Sequence, residues 1–270
     1  MKIFVITKRT LIIGGIILLA LIAAVIAALA LTDGNAAVRT GAKAVEEYEV
    51  QALAGKRKEL PVYSVQREDK KIALTIDAAW EDDKTPFILE TLDQFNVKAT
   101  FFLCGFWVDK YPDEVKAIHD KGHELGNHTA THPHMNSLSA ADMKKELEKF
   151  EEKMVKLTGE KTVVFRAPYG EYNDSVITTV RGMGYEVIQW NIDTIDWKEE
   201  RSAQTILDTV LPKLAPGCII LCHNNGYKIK EYLPTLLETA TSQGYEFVTV
   251  SELLLEGGTM IDVNGVQKPA

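Results

Sequence analysis

Between Lys71 and Val250, seven short strand-like runs alternate with longer amphipathic stretches, and this alternation constrains the fold more than any other feature of the 270-residue chain. The runs are Lys71–Asp77, Lys98–Cys104, Glu124–Asn127, Thr162–Phe165, Glu186–Ile192, Cys218–Cys222 and Glu246–Val250. Between them, Thr85–Phe95, Pro112–Lys121, Ser139–Leu157, Ser175–Met183, Ala203–Leu214 and Lys230–Ser242 read as helices. Local signals agree with this. Pro112 suits a first helical turn, Ser139 caps the longest helix with Asp142 three residues on, and Gly159 ends it. Strands alternating with helices at this spacing imply an α/β fold with a parallel sheet and right-handed crossovers, open or closed into a barrel. After Gly257 the pair Asn264–Gly265 signals a tight turn, so the tail is expected to form a small strand pair or to fray.

The residues that end the runs are as informative as the runs themselves. Asp77, His128, Arg166, Asp193 and His223 stand at the C-terminal ends of five expected strands. In α/β barrels that rim is where active sites are built. Around His128 the segment Gly126–Met135 holds three of the chain's six histidines, with His128 and His132 four apart. A close pair of neutral imidazoles can give one divalent transition metal two nitrogen ligands about 2 Å away.

Composition narrows the partners. A formal net charge of −8, with no Lys/Arg-rich patch interleaved with aromatics, argues against nucleic acid. Cys104, Cys218 and Cys222 form neither a disulfide framework nor a C-x-x-C pair, and Cys218 and Cys222, which flank an apolar run, are expected to be buried, inert thiols. Leu11–Leu31 is an uninterrupted apolar run of 21 residues preceded by Lys2, Lys8 and Arg9. About 20 such residues cross the hydrocarbon core, and the basic flank stays cytoplasmic. The expected organisation is a cytoplasmic segment 1–10, a membrane anchor 11–31, a tether 32–60, a barrel 61–255 and a tail 256–270. The rival to an anchor is a signal peptide cleaved near Ala30, and either reading exports the rest of the chain.

The residue types at the rim suggest hydrolysis. Asp77 can take a proton from water, His128 and His132 can hold a metal, and His223 can protonate a leaving group. Arg166 can hold a carboxylate ionised, and Asp193 can orient and charge-stabilise His223. Asp196 reads as a helix cap, and Trp197 as core packing or a wall of the site. No nucleophile elbow, Walker loop or dinucleotide fingerprint competes.

With these residues in order, the chain resembles the polysaccharide deacetylase family, carbohydrate esterase family 4, from about Lys71 to Leu254. The matching motifs are Thr75–Asp77, His128–His132, Arg166–Tyr169, Asp193–Trp197 and Ile220–His223. The resemblance implies an irregular (β/α) barrel of about seven strands and metal-assisted removal of acetyl groups from amino sugars of peptidoglycan or a related polysaccharide, or from acetylated xylan. It implies Asp77 as base, His223 as acid, His128 and His132 as ligands of a divalent metal such as zinc, and Arg166 steadying Asp77. Asp193 would tune His223, the Tyr169 N–H would help bind the oxyanion, and Leu221 and Trp197 would shape the acetyl pocket.

One position departs from the pattern. The family's first motif usually reads Asp-Asp, its second Asp being the third metal ligand, and here that residue is Ala78. A methyl group cannot ligate, which leaves two histidines with water, recruitment of Asp77, or a weak or absent metal. The acidic run Glu81–Asp83 follows closely. Trp80, with Leu60–Val65 upstream, resembles the membrane-anchored, sporulation-associated branch of the family. The competing readings are a glycan-binding barrel that lost its metal and a metal-independent amidohydrolase.

Overall fold

A computed structural model describes residues 58–270. The apolar run Leu11–Leu31 and the tether as far as residue 57 lie outside the described residues. Among the described residues no helix is long and apolar enough to cross a membrane.

The chain enters through β1 (Ser64–Val65) and then forms β2 (Lys71–Ala78), the longest strand. Helix α1 (Thr85–Gln94) leads to β3 (Thr100–Leu103), then α2 (Gly105–Lys110), α3 (Pro112–Asp120) and β4 (Glu124–Asn127). The long α4 (Ala140–Thr158) precedes β5 (Val164–Phe165), α5 (Asp174–Arg181), β6 (Glu186–Val187) and β7 (Ile192–Asp193). Next come α6 (Ala203–Val210), β8 (Ile219–His223), α7 (Ile229–Ser242), β9 (Glu246–Phe247) and the short α8 (Val250–Leu253). The tail forms β10 (Thr259–Ile261) and β11 (Val266–Pro269).

Seven parallel strands lie in the order β6-β5-β4-β3-β2-β8-β7, with β9 pairing beside the start of β2. This is an α/β half-barrel. No ladder among the described residues joins β6 to β7. The entering segment crosses that opening instead, Val62 bridging Ile188 and Ser64 bridging Cys218. Along β2 the period-two alternation sorts the side chains. Ile72, Leu74 and Ile76 join the large apolar cluster beneath the helices, while Ala73 joins a second cluster with Phe102, Val164 and Ile219. Thr75 and Asp77 continue the Ala73 side upward, which brings Asp77 to the rim.

Helix boundaries follow their caps. The Ser139 side chain accepts from the Asp142 N–H, and Gly159 ends α4 at φ 80°, a left-handed conformation that glycine adopts without strain. Three expectations need correction. The run Glu186–Ile192 is two strands, because it changes partners: β6 pairs with β5, the chain turns at Gln189–Trp190, and β7 pairs with β8. Glu246–Val250 is extended only to Phe247, since Thr249 forms a capping box with Glu252 and starts α8. The helix expected over Ala203–Leu214 ends at Val210 and tightens into a 3-10 turn around Pro212, which has no N–H to continue it. The tail does not fray. It pairs β10 with β11 antiparallel through the Asn264–Gly265 turn, and β11 with β1 in parallel.

Candidate active site

The strand ends converge on one cavity of about 510 Å³. Eight of the nine residues singled out from the sequence line it: Asp77, His128, His132, Tyr169, Asp193, Trp197, Leu221 and His223. The ninth, Arg166, lies fully buried behind Asp77.

Arg166 is fixed from several directions. Its Nη1 donates to Asp77 Oδ1 at 2.7 Å and to Thr75 Oγ1 at 2.9 Å, and its Nη2 donates to the Gln189 carbonyl at 3.0 Å. Phe102 packs against the guanidinium at 4.2 Å and Trp190 at 5.3 Å. A planar fork with this many donors suits a buried carboxylate better than an ammonium would. Burial alone would raise the Asp77 pKa, but the charges of Arg166, His128 and His223 hold the carboxyl below its ordinary range. Asp77 Oδ2 points away from the arginine, toward His128 Nε2 at 3.7 Å.

The histidine loop is built on two left-handed residues, Thr129 at φ 71° and His132 at φ 59°. Non-glycine residues seldom sit there unless neighbours hold them. Buried Asn127 accepts from the Thr129 N–H, and Thr129 Oγ1 accepts from the His132 N–H, so the turn is tied at both points. His128 is 3% exposed, and its Nδ1 donates to the Arg166 carbonyl at 2.8 Å. That bond sets the tautomer and leaves Nε2 as a lone pair facing the cavity. The two imidazole centroids are 5.0 Å apart, with Trp80 and Tyr169 edge-on to His132. Burial draws the His132 pKa down to about 4, and its Nδ1 is buried without a hydrogen-bond partner among the described residues.

His223 stands opposite Asp77 at the end of the neighbouring strand. Its Nδ1 donates to Asp196 Oδ1 at 2.8 Å, and its backbone N–H donates to Asp196 Oδ2 at 3.1 Å. Tyr232 OH donates to the same Oδ2 at 2.6 Å. Burial lowers the His223 pKa, but the Asp196 bond and charge, then Asp77 and Asp193, raise it further, and the net shift is upward.

This corrects the expectation that Asp193 orients His223. Asp193 instead accepts from the Ile195 N–H at 2.7 Å and from Trp190 Nε1 at 3.2 Å, and it reaches His223 only through its charge. Asp196, expected as a helix cap, is the orienting carboxylate. The left-handed turn at Ile195, φ 53°, lies between the two aspartates.

Ala78 is fully buried in the large apolar cluster, and its carbonyl accepts from the Cys104 N–H at 2.9 Å. Among the described residues, one group of three or more His, Cys, Asp or Glu side chains brings its donor atoms within 4.8 Å of one another: Cys104, His128 and His132. An unpartnered His132 nitrogen, an anchored His128 and a nearby sulfur fit a borderline-soft divalent ion. Glu81, Asp82 and Asp83 line a separate hollow with Lys84 and Tyr111. The sequence gives Cys104 no role although it ends an expected strand, as Asp77 does. It also gives no role to Tyr232, which no motif marks.

Comparison with known proteins gives the family. The family model described as polysaccharide deacetylase matches residues 64–188. A peptidoglycan N-acetylglucosamine deacetylase of Bacillus cereus is 35% identical over 187 residues, covering 68% of this chain and 68% of the relative. The chain belongs to the polysaccharide deacetylase family. A peptidoglycan N-acetylmuramic acid deacetylase of Bacillus subtilis is a further family member, 30% identical over 191 residues, 70% of this chain and 73% of the relative. Among solved structures, a family pseudoenzyme from Bacillus anthracis superposes with a TM-score of 0.68 at 36% identity, covering 72% of this chain and 68% of the other. A mutant of that pseudoenzyme, 37% identical to this chain, is described as having restored enzymatic activity.

Proposed function

We propose that the protein is a metal-assisted N-deacetylase acting on acetylated amino sugars of peptidoglycan or a related polysaccharide. One observation carries this reading: a single cavity holds an ionised carboxylate backed by a buried arginine, a histidine pair with free nitrogens, and a second histidine braced by a carboxylate. A pure binding site has no need of all three.

Asp77 keeps one oxygen on Arg166 and has Oδ2 free to take a proton from water. The water oxygen then attacks the acetyl carbonyl carbon, with the Tyr169 N–H as a candidate donor to the oxyanion, worth about 3 kcal/mol if well aimed. His223, protonated through its partnership with Asp196, gives its Nε2 proton to the departing nitrogen as the carbon–nitrogen bond breaks. The products are acetate and a free amine. His128 and His132 would hold a divalent ion such as zinc, which would acidify water and polarise the carbonyl. Leu221 and Trp197 would enclose the acetyl group, and the exposed rings of Trp80 and Tyr169 would meet the sugar faces. The apolar run Leu11–Leu31 supports placing this domain outside the cytoplasm, on an uncleaved anchor or after cleavage near Ala30. Acetate release from N-acetylglucosamine oligomers and from acetylated peptidoglycan tests the reading, with divalent metals supplied singly. A complete lack of release overturns it.

A second reading, a non-catalytic glycan-binding protein, is favoured by two features: Ala78 offers no donor atom, and the chain is similar to a family pseudoenzyme. Ala78→Asp separates the two. A large gain from a silent parent supports the binder, and an active parent with little gain supports the enzyme.

A further inference from the structure

We infer that Cys104 is the third protein ligand of the metal site, so that a thiolate joins the imidazoles of His128 and His132. The inference rests on the metal-assisted reading proposed for this cavity and names how its site is completed.

Cys104 follows β3 directly and lies beside the end of β2, its N–H donating to the Ala78 carbonyl at 2.9 Å. Its thiol donates to the backbone carbonyl of His128 at 3.3 Å, which sets the sulfur against the first histidine of the pair and is the bond given up when the thiol loses its proton. The donor atoms of Cys104, His128 and His132 all lie within 4.8 Å of one another. Tetrahedral zinc with Zn–N near 2.0–2.1 Å and Zn–S near 2.3 Å needs donors roughly 3.3–3.7 Å apart. The upper bound of 4.8 Å exceeds that spacing by only about 1 Å.

Among the described residues, each histidine has a ring nitrogen without a hydrogen-bond partner. His128 is 3% exposed, and its Nδ1 is committed to the Arg166 carbonyl. Its Nε2 faces Asp77 Oδ2 at 3.7 Å, too far for a hydrogen bond. His132 Nδ1 is buried with no hydrogen-bond partner. A buried polar nitrogen left as His132 Nδ1 is left is rare in native proteins, and one ion could take a nitrogen from each ring.

No carboxylate among the described residues completes this donor group. Asp77 gives Oδ1 to Arg166 and does not belong to the close donor group. The acidic run Glu81–Asp83 lines a different hollow. A sulfur and two imidazoles select zinc or cobalt(II) over magnesium or calcium. Binding is balanced by one proton: the Cys104 thiol releases its hydrogen to solvent as the sulfur–metal bond forms.

The test is optical titration of the metal-free full-length protein with cobalt(II). Visible d–d bands report binding, and a near-ultraviolet sulfur-to-cobalt charge-transfer band reports a thiolate ligand. Both are expected in the wild type. Cys104→Ser should abolish the charge-transfer band and weaken metal affinity tenfold or more, while Cys222→Ala keeps both signals. Visible bands without charge transfer in the wild type overturn the thiolate ligand and leave the two-histidine site standing. No cobalt binding, together with no acetate release, overturns both. Zinc-edge X-ray absorption on the wild type covers the case of a variant that does not fold: a sulfur shell near 2.3 Å is expected, and a nitrogen/oxygen-only shell overturns the inference.

Discussion

Asp77 and His223 lie directly opposite each other on adjacent parallel strands, each held by its own buried partner. Arg166 grips Asp77 from below, and Asp196 grips His223 from the far side. The two side chains thus reach the same cavity with opposite shifts, the carboxyl held below its ordinary range and the imidazole above its own. Such a divergence within one cleft is the arrangement expected of a base and an acid sharing a reaction.

Removing the His223 partner should therefore disable the acid while leaving the fold intact. Asp196→Asn is expected to lower kcat about a hundredfold or more, and Asp193→Asn less than about tenfold, on acetate release. Equal effects would return the orienting role to Asp193.

The pH profile follows from the two shifts. Asp77 sits below the ordinary carboxylate range, so its ionised form is lost only as pH falls through that lowered value. His223 sits above the ordinary imidazole range, so its proton is lost only as pH rises through that raised value. The kcat/KM plateau should be broad, and Asp196→Asn should draw its alkaline limb to lower pH. Stability follows the same signs. The Asp77 contribution is present above the unfolded carboxylate value and fades as pH falls through the lowered one. The His223 contribution is present below the unfolded imidazole value and fades as pH rises through the raised one.

Arg166→Leu leaves the Asp77 charge buried without its counterion and frees the Gln189 carbonyl and Thr75 hydroxyl. The cost should be about 3–5 kcal/mol in urea unfolding. Asp77→Asn, which keeps an acceptor for Arg166, should cost less while still abolishing acetate release.

Gly226 is close to Asp196. A Cβ there would overlap Asp196 Oδ2, so Gly226→Ala must displace the carboxylate. The expected result is a fall in kcat of about tenfold or more with His223 untouched, and an alkaline limb that moves as it does for Asp196→Asn. An unchanged profile would show that the carboxylate can move without consequence.

The strand ends were legible because a parallel strand must stop at the rim and polar residues mark where it does. Asp77, His128, Arg166 and His223 were readable on that ground alone. The choice between Asp193 and Asp196 was not, since both follow the same strand and only the left-handed turn at Ile195 decides which one faces His223. Cys104 stood at a strand end too, but a thiol in an apolar run reads as core until the histidines are seen beside it. The partner change within Glu186–Ile192 depends on β5 and β8, which lie far away in sequence, so no local pattern could reveal it.

Everything proposed for this cavity turns on acetate being released there with a metal bound. The decisive experiment follows acetate from N-acetylglucosamine oligomers and peptidoglycan with the zinc- or cobalt-loaded protein, against a chelated control. Release should depend on the metal and disappear in Asp77→Asn and His223→Ala. Glycan binding with no acetate release under any metal would refute the deacetylase reading.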